Sequence, residues 1–197
     1  MYSSQRFTNW TPHDPHWSEV EALPTRPRPT TSLRQEPGEA LSVFERRLAA
    51  DFVRPCTATD VVNVVATVPR QFLDHLAGIY LMGGTAKQTR ARGLTFGLYS
   101  RDRIFLFPIP AQKLATGWTC SGTPAVIQSY RLFGADIQPG RRGVTVTFDE
   151  YSLRRFYLYD VLLHEIGHHA DRQKRSHKDS ERFARWFAEY QHSHLAH

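Results

Sequence analysis

The sequence predicts an α+β domain: a small mixed sheet with an antiparallel edge strand, packed on one buried helix and on a second helix at the C-terminus. Three observations lead to it. Short runs rich in β-branched and aromatic residues are bounded by Gly and Pro. One stretch around Leu153–Ala170 is apolar around most of a helical circumference. The last stretch carries Phe183, Trp186, Phe187 and Tyr190 at helical spacing.

Taken in order, residues 1–37 hold half of the twelve prolines, and the run Pro24-Thr-Arg-Pro-Arg-Pro cannot sustain a helix or a sheet ladder. This stretch reads as an extended, disordered arm that carries Trp10 and Trp17 beside His13 and His16, with the domain occupying 38–197. From Gly38, Ala40, Leu41, Phe44, Leu48 and Phe52 recur at helical spacing and predict a helix to about residue 52. The β-branched run Val61–Val68 reads as a strand ended by Pro69, and a short helix is expected around Gln71–Ala77. Ile79–Met82 reads as the next strand, stopped by Gly83-Gly84.

Leu94–Tyr99 and Ile104–Phe107, joined by Ser100-Arg101-Asp102-Arg103, predict a hairpin. Its second arm runs into Pro108 and Pro110, which places that arm at a sheet edge. Residues 111–142 show no clear period and read as loops with one short element near Ala125–Phe133. Val144–Phe148 is the last strand. Asp149 or Ser152 caps the long helix, whose apolar residues Phe156, Leu158, Val161, Leu162, Leu163 and Ile166 point in most directions, so the helix is central. Arg172–Lys178 is a basic turn, and Asp179 or Ser180 opens a final helix whose four aromatic residues are expected to face the core.

A chain of 197 residues buries enough surface to fold without a disulfide framework or a structural metal. Cys56 and Cys120 are far apart and lack CxxC spacing, which argues against a stapled secreted domain and against a thiolate zinc site. No segment approaches the ~18 apolar residues of a membrane span, and the start of the chain shows no apolar stretch of a signal peptide, so a cytoplasmic protein without membrane contact is expected. The net charge of +6 comes mostly from Arg, and a solvated basic surface is the plain explanation.

Within the central helix stands His164-Glu165-Ile166-Gly167-His168. Residues four apart on a helix differ by only about 40° in direction, so both imidazoles leave the same face and suit one Zn²⁺ per chain. Glu165 then lies beside the ion without ligating it, where it can take a proton from a bound water. Burying two His and a Glu in an apolar run is costly without a purpose. Gly167 costs about 1 kcal/mol relative to Ala in a helix interior, and a close backbone approach by substrate or a strand would explain it.

A catalytic zinc wants a third protein ligand and an open position. A His at 174 would mark one class of such sites, but that residue is Lys174. Glu181 is the leading candidate, because Ala184 and Ala188 at +3 and +7 give its helix a small-residue stripe that allows close packing; His177 and Asp179 are its rivals. Asp160 and Asp171, one turn to either side of the pair, are candidates to orient the imidazoles. Tyr157, Tyr159 and His177 are candidates for an oxyanion partner, and His169, turned about 100° from His168, is not expected to be a ligand.

The helix His164–His168, preceded by Arg155-Phe156-Tyr157 and followed by Glu181-x-x-Ala184-x-x-Phe187-Ala188, resembles the gluzincin-type zinc metallopeptidases. It is most similar to small cytoplasmic members such as the ImmA/IrrE-type peptidases and the minigluzincins. The resemblance covers roughly residues 94 to 190 and implies a zincin-like fold, zinc held by His164, His168 and Glu181, and Glu165 as general base. It also implies a protein or peptide substrate laid in extended form along the edge strand. Two rival readings accompany this one. A DNA-associated SprT-like protease would use Arg141-Arg142, Arg154-Arg155 and the basic residues 172–178 to bind nucleic acid. A zincin-fold protein that binds a partner and cleaves nothing would have no need of Glu165.

Overall fold

The computed structural model describes residues 31–32, 41–90, 93–120, 124–141, 143–171 and 176–195. Over these residues the architecture is α+β, with three small sheets whose apolar residues share a core with the helices. The principal sheet contains β1 (Thr31–Ser32), β2 (Ser42–Glu45), β4 (Gly78–Leu81), β6 (Arg103–Leu106) and β5 (Gly97–Ser100), in the order β1-β2-β4-β6-β5. β2, β4 and β6 are parallel, while β1 and β5 run antiparallel to their neighbours at the two edges. The rest of the proline-rich arm lies outside the described residues, as do Arg142, Arg172, Lys174 and Arg175.

Period-2 burial explains the sheet. Val43, Ile79, Leu81, Ile104 and Leu106 face the helices, and Phe44, Tyr80 and Phe105 line up on the opposite face. Their rings stack, with centroids 4.7 Å apart for Phe44–Tyr80 and 5.2 Å for Tyr80–Phe105. Both faces of β2 are therefore apolar, so its sequence lacks the alternation of a half-buried strand. For that reason the helix expected up to residue 52 is instead β2 followed by β3 (Phe52–Val53), which pairs with β7 (Ile109–Pro110).

The valine run corrects the opposite way: it forms helix α1 (Ala58–Val65). Thr57 Oγ1 accepts from the Asp60 N–H at 3.2 Å, and the Asp60 carboxylate accepts from the Thr57 N–H at 2.8 Å. This reciprocal cap starts a helix, and Val61, Val64 and Val65 then share its buried face. The expected helix near Gln71 is one 3₁₀ turn, Arg70–Phe72. A five-residue helix α2 (Ala86–Arg90) follows β4.

The hairpin forms as expected, with its two connecting residues, Arg101 and Asp102, at φ of 50° and 58°. Its placement differs, however. β6 is paired on both sides and the arm at the edge is β5, because Pro108 and Pro110 fall beyond the last residue of β6. Residues 111–142 are more ordered than the missing period suggested. They form α3 (Ala111–Thr116), β8 (Trp118–Cys120), α4 (Pro124–Leu132) and β9 (Asp136–Gly140), with β8 and β9 flanking β10 (Gly143–Thr147) in a three-stranded antiparallel sheet.

Asp149 caps α5 (Glu150–Phe156) by accepting from the Ser152 N–H at 2.7 Å. The chain continues through a π-helical segment, Tyr157–Leu162, into α6 (Leu163–Ala170). Leu162, Leu163 and Ile166 are fully buried, as expected of a central helix. α7 (His177–Leu195) packs along α6. Its buried stripe is Glu181, Ala184, Ala188 and Gln191, flanked by Phe187. Trp186 and Tyr190 were expected in the core but fall on the far side of that stripe, where they are 53% and 44% exposed. Among the described residues no helix is long and apolar enough to cross a membrane.

Candidate metal centre

α6 and α7 meet at His164, His168 and Glu181. Helical spacing sets the two rings side by side, with centroids 4.7 Å apart and planes at 86°. Glu181, in the first turns of α7, divides its carboxylate between them. Its Oε2 lies 3.4 Å from His164 Nε2 and its Oε1 lies 3.3 Å from His168 Nε2. One ligand atom from each residue falls within a 4.8 Å cluster, the only such group of three among the described residues.

Close helix packing makes this convergence possible. A Cβ on Gly167 would stand 2.7 Å from Ala184 Cα and 3.0 Å from its carbonyl oxygen. Only a residue without a side chain fits at 167, and it lies between the two histidines, opposite the residue one turn after Glu181. The close approach at Gly167, expected from substrate or a strand, is made instead by a helix, α7.

His164, Glu165 and Glu181 are buried, and His168 is half-buried. Burial works to raise the Glu181 carboxyl, but the two imidazoles that face it outweigh burial and hold the group far below the usual carboxylate range. Burial works to lower His168, and the facing carboxylates of Glu181 and Glu165 more than reverse it. Glu165 is raised above the ordinary carboxylate range because burial outweighs the attraction of His168 and His164. The Tyr99 backbone amide works in the opposite direction, as a smaller effect.

The edge strand lies directly over this acid. A Cβ on Gly97 would stand 2.7 Å from Glu165 Oε1 and 2.8 Å from Val161 Cγ1. Glycine at 97 lets β5 approach the helix without displacing Glu165.

The other expected participants divide into near and far. His177 is brought to the rim: its Nε2 lies 3.9 Å from Glu181 Oε1, and its side chain is mostly exposed. Asp179 is turned to the start of α7, bonding Ser176 Oγ at 2.7 Å and Arg182 at 2.8 Å. Tyr157 is buried and its hydroxyl donates to the Phe107 carbonyl at 2.8 Å, so that proton is committed to the sheet. Tyr159 packs on His192. The Asp160 carboxylate accepts from Ser129 Oγ at 3.2 Å. Asp171 follows the last turn of α6 and acts on His168 through its charge.

Two polar contacts were not anticipated. Ser180 Oγ lies 3.2 Å from His168 Nδ1, which leaves Nε2 directed at Glu181. His169 is tied to the hairpin and to Asp74. Neither residue carries a sequence signal, because each contact joins segments apart in the chain. Elsewhere, burial and the charge of Asp60 push the Cys56 thiol up to about 12, so it stays protonated and unreactive.

A scan against protein-family models and searches of curated proteins and of solved structures find no match to this chain.

Proposed function

We propose that the chain is a zinc-dependent endopeptidase of zincin-like fold, with the ion held by His164, His168 and Glu181 and with Glu165 as general base. The observation that carries this reading is the convergence of two imidazole Nε2 atoms and one carboxylate within 4.8 Å, beside a buried fourth group, Glu165. The donor set suits the ion: two neutral nitrogens and one carboxylate form a familiar catalytic zinc triad. A divalent zinc would also compensate the charge of the buried Glu181 carboxylate on α7. When bound, such an ion supplies Lewis acidity and makes water a nucleophile near neutral pH.

The remaining chemistry belongs to the chain. Glu165, kept above the usual carboxylate range by burial, is suited to take a proton at its carboxylate from the attacking water and deliver it to the leaving amine. β5 lies against that carboxylate at Gly97 and limits its movement. β5, paired only with β6 in the sheet order, offers its other edge to an extended peptide. His177, at the rim, is the side chain available to steady developing negative charge on the substrate.

Elemental analysis tests the site directly. Protein purified without added metal should carry about one zinc per chain, retained in Glu165→Gln and in a chain ending at Gln191, and much reduced in Glu181→Ala. Glu165→Gln should cut hydrolysis of unfolded protein substrates by roughly 10²–10⁴-fold. Absence of zinc after reconstitution, or undiminished turnover in Glu165→Gln, would overturn the reading.

A further inference from the structure

His169 follows the second histidine of the cluster yet faces away from it, and its side chain is only 6% exposed. Its Nε2 donates to the Asp74 carbonyl at 3.0 Å, and its Nδ1 lies 3.3 Å from the Tyr99 hydroxyl. That hydroxyl donates to Asp102 Oδ1 at 2.9 Å. Asp102 occupies the left-handed turn of the hairpin, and its carbonyl accepts from the Ala77 N–H at 2.6 Å. The rings of Tyr99 and His169 meet edge to face at 5.5 Å.

This network joins three elements. It ties the end of α6 to the tip of the β5–β6 hairpin and to the segment before β4. Tyr99 belongs to the strand whose Gly97 lies against Glu165. An edge strand has ladder bonds on one side only, so β5 needs another restraint to keep a fixed height over the helix.

We propose that Tyr99 and His169 are positioning residues: they pin the hairpin to the end of α6 and thereby set β5 against Glu165. Neither contributes an atom to the His164–His168–Glu181 cluster. They act through the strand, with the Tyr99 side chain fixing the place of the backbone at Gly97, where a Cβ would stand 2.7 Å from Glu165 Oε1. The role of Glu165 in this statement rests on the peptidase reading above, whereas the pin itself does not.

Amide hydrogen exchange on the full chain tests it. In Tyr99→Phe, which keeps the ring and removes the hydroxyl, and in His169→Ala, exchange at the amides of β5 should rise by about tenfold, the loss expected for a hydrogen bond or two. Exchange in β4 and α1 should stay at wild-type rates, and zinc content should be unchanged. In a hydrolysing protein the same variants should lower kcat with little change in KM. His169→Gln, which restores a donor toward Asp74, should recover part of the β5 protection. Wild-type exchange at β5 in both variants would overturn the pin, as would a uniform rise across the chain. A chain that shows the local rise but binds no zinc would overturn only the peptidase reading.

Discussion

Gly167 and Ala184 are in backbone contact: a side chain at 167 would begin 2.7 Å from Ala184 Cα. The contact sets the separation of α6 and α7, and that separation lets a carboxylate from one helix meet two imidazoles from the other. Position 167 therefore controls the candidate site without contributing a functional group.

Gly167→Ala isolates this effect. On an exposed helix the change would add about 1 kcal/mol of stability. Here the added methyl meets backbone, and overpacking of this kind costs roughly 1–3 kcal/mol. Urea unfolding should show a lower midpoint than wild type, and zinc content should fall although all three proposed ligands remain. A stabilised variant with full zinc content would show that the helices separate freely.

The cap of α1 predicts a pH dependence. Asp60 is buried, which raises its carboxyl, but hydrogen bonds from Thr57 and the ion pair with Arg154 prevail and bring it below its ordinary value of 3.8. A lowered folded value means that this contribution is full above the ordinary value and lost as pH falls through the lower one. Asp60→Asn should cost about 1 kcal/mol near neutrality, and its deficit should shrink as pH falls through the ordinary carboxylate range and below it. Urea midpoints of both proteins across that range check it. A deficit that widens toward low pH would contradict the sign.

The two faces of α7 should respond differently to truncation. Phe187 is buried against Phe72, with ring centroids 5.1 Å apart, while Trp186 is half exposed. Phe187→Ala should cost about 3–5 kcal/mol. Trp186→Gln should stay within about 0.5 kcal/mol of wild type by thermal unfolding. Equal losses at both positions would place the buried stripe elsewhere.

The residues themselves show why some of this was legible. The spacing of His164 and His168 fixes their relative direction on any helix, and the small residues at 184 and 188 mark the face of α7 that can approach closely. The strands Ile79–Met82 and Val144–Phe148 and the hairpin declare themselves through composition and bounding turns. The valine run misleads because its β-branched content outweighs Thr57-x-x-Asp60, a capping signal present in the sequence and borne out by two hydrogen bonds. Around Phe44 the error reverses, since a strand covered on both faces carries no period.

What the sequence determined by itself is local: a helix that presents two imidazoles and a glutamate together, an N-cap at Asp149 or Ser152, and the glycine that tolerates a close neighbour. Only the tertiary structure brought Glu181 between the two imidazoles while leaving His177 at the rim and Asp179 at the helix start. It also committed the Tyr157 hydroxyl to Phe107 and tied His169 to Tyr99. The reason is physical. Side-chain direction within one helix follows from backbone geometry, whereas a contact between segments depends on how closely two surfaces can pack, and here that distance is set by the meeting of Gly167 with Ala184.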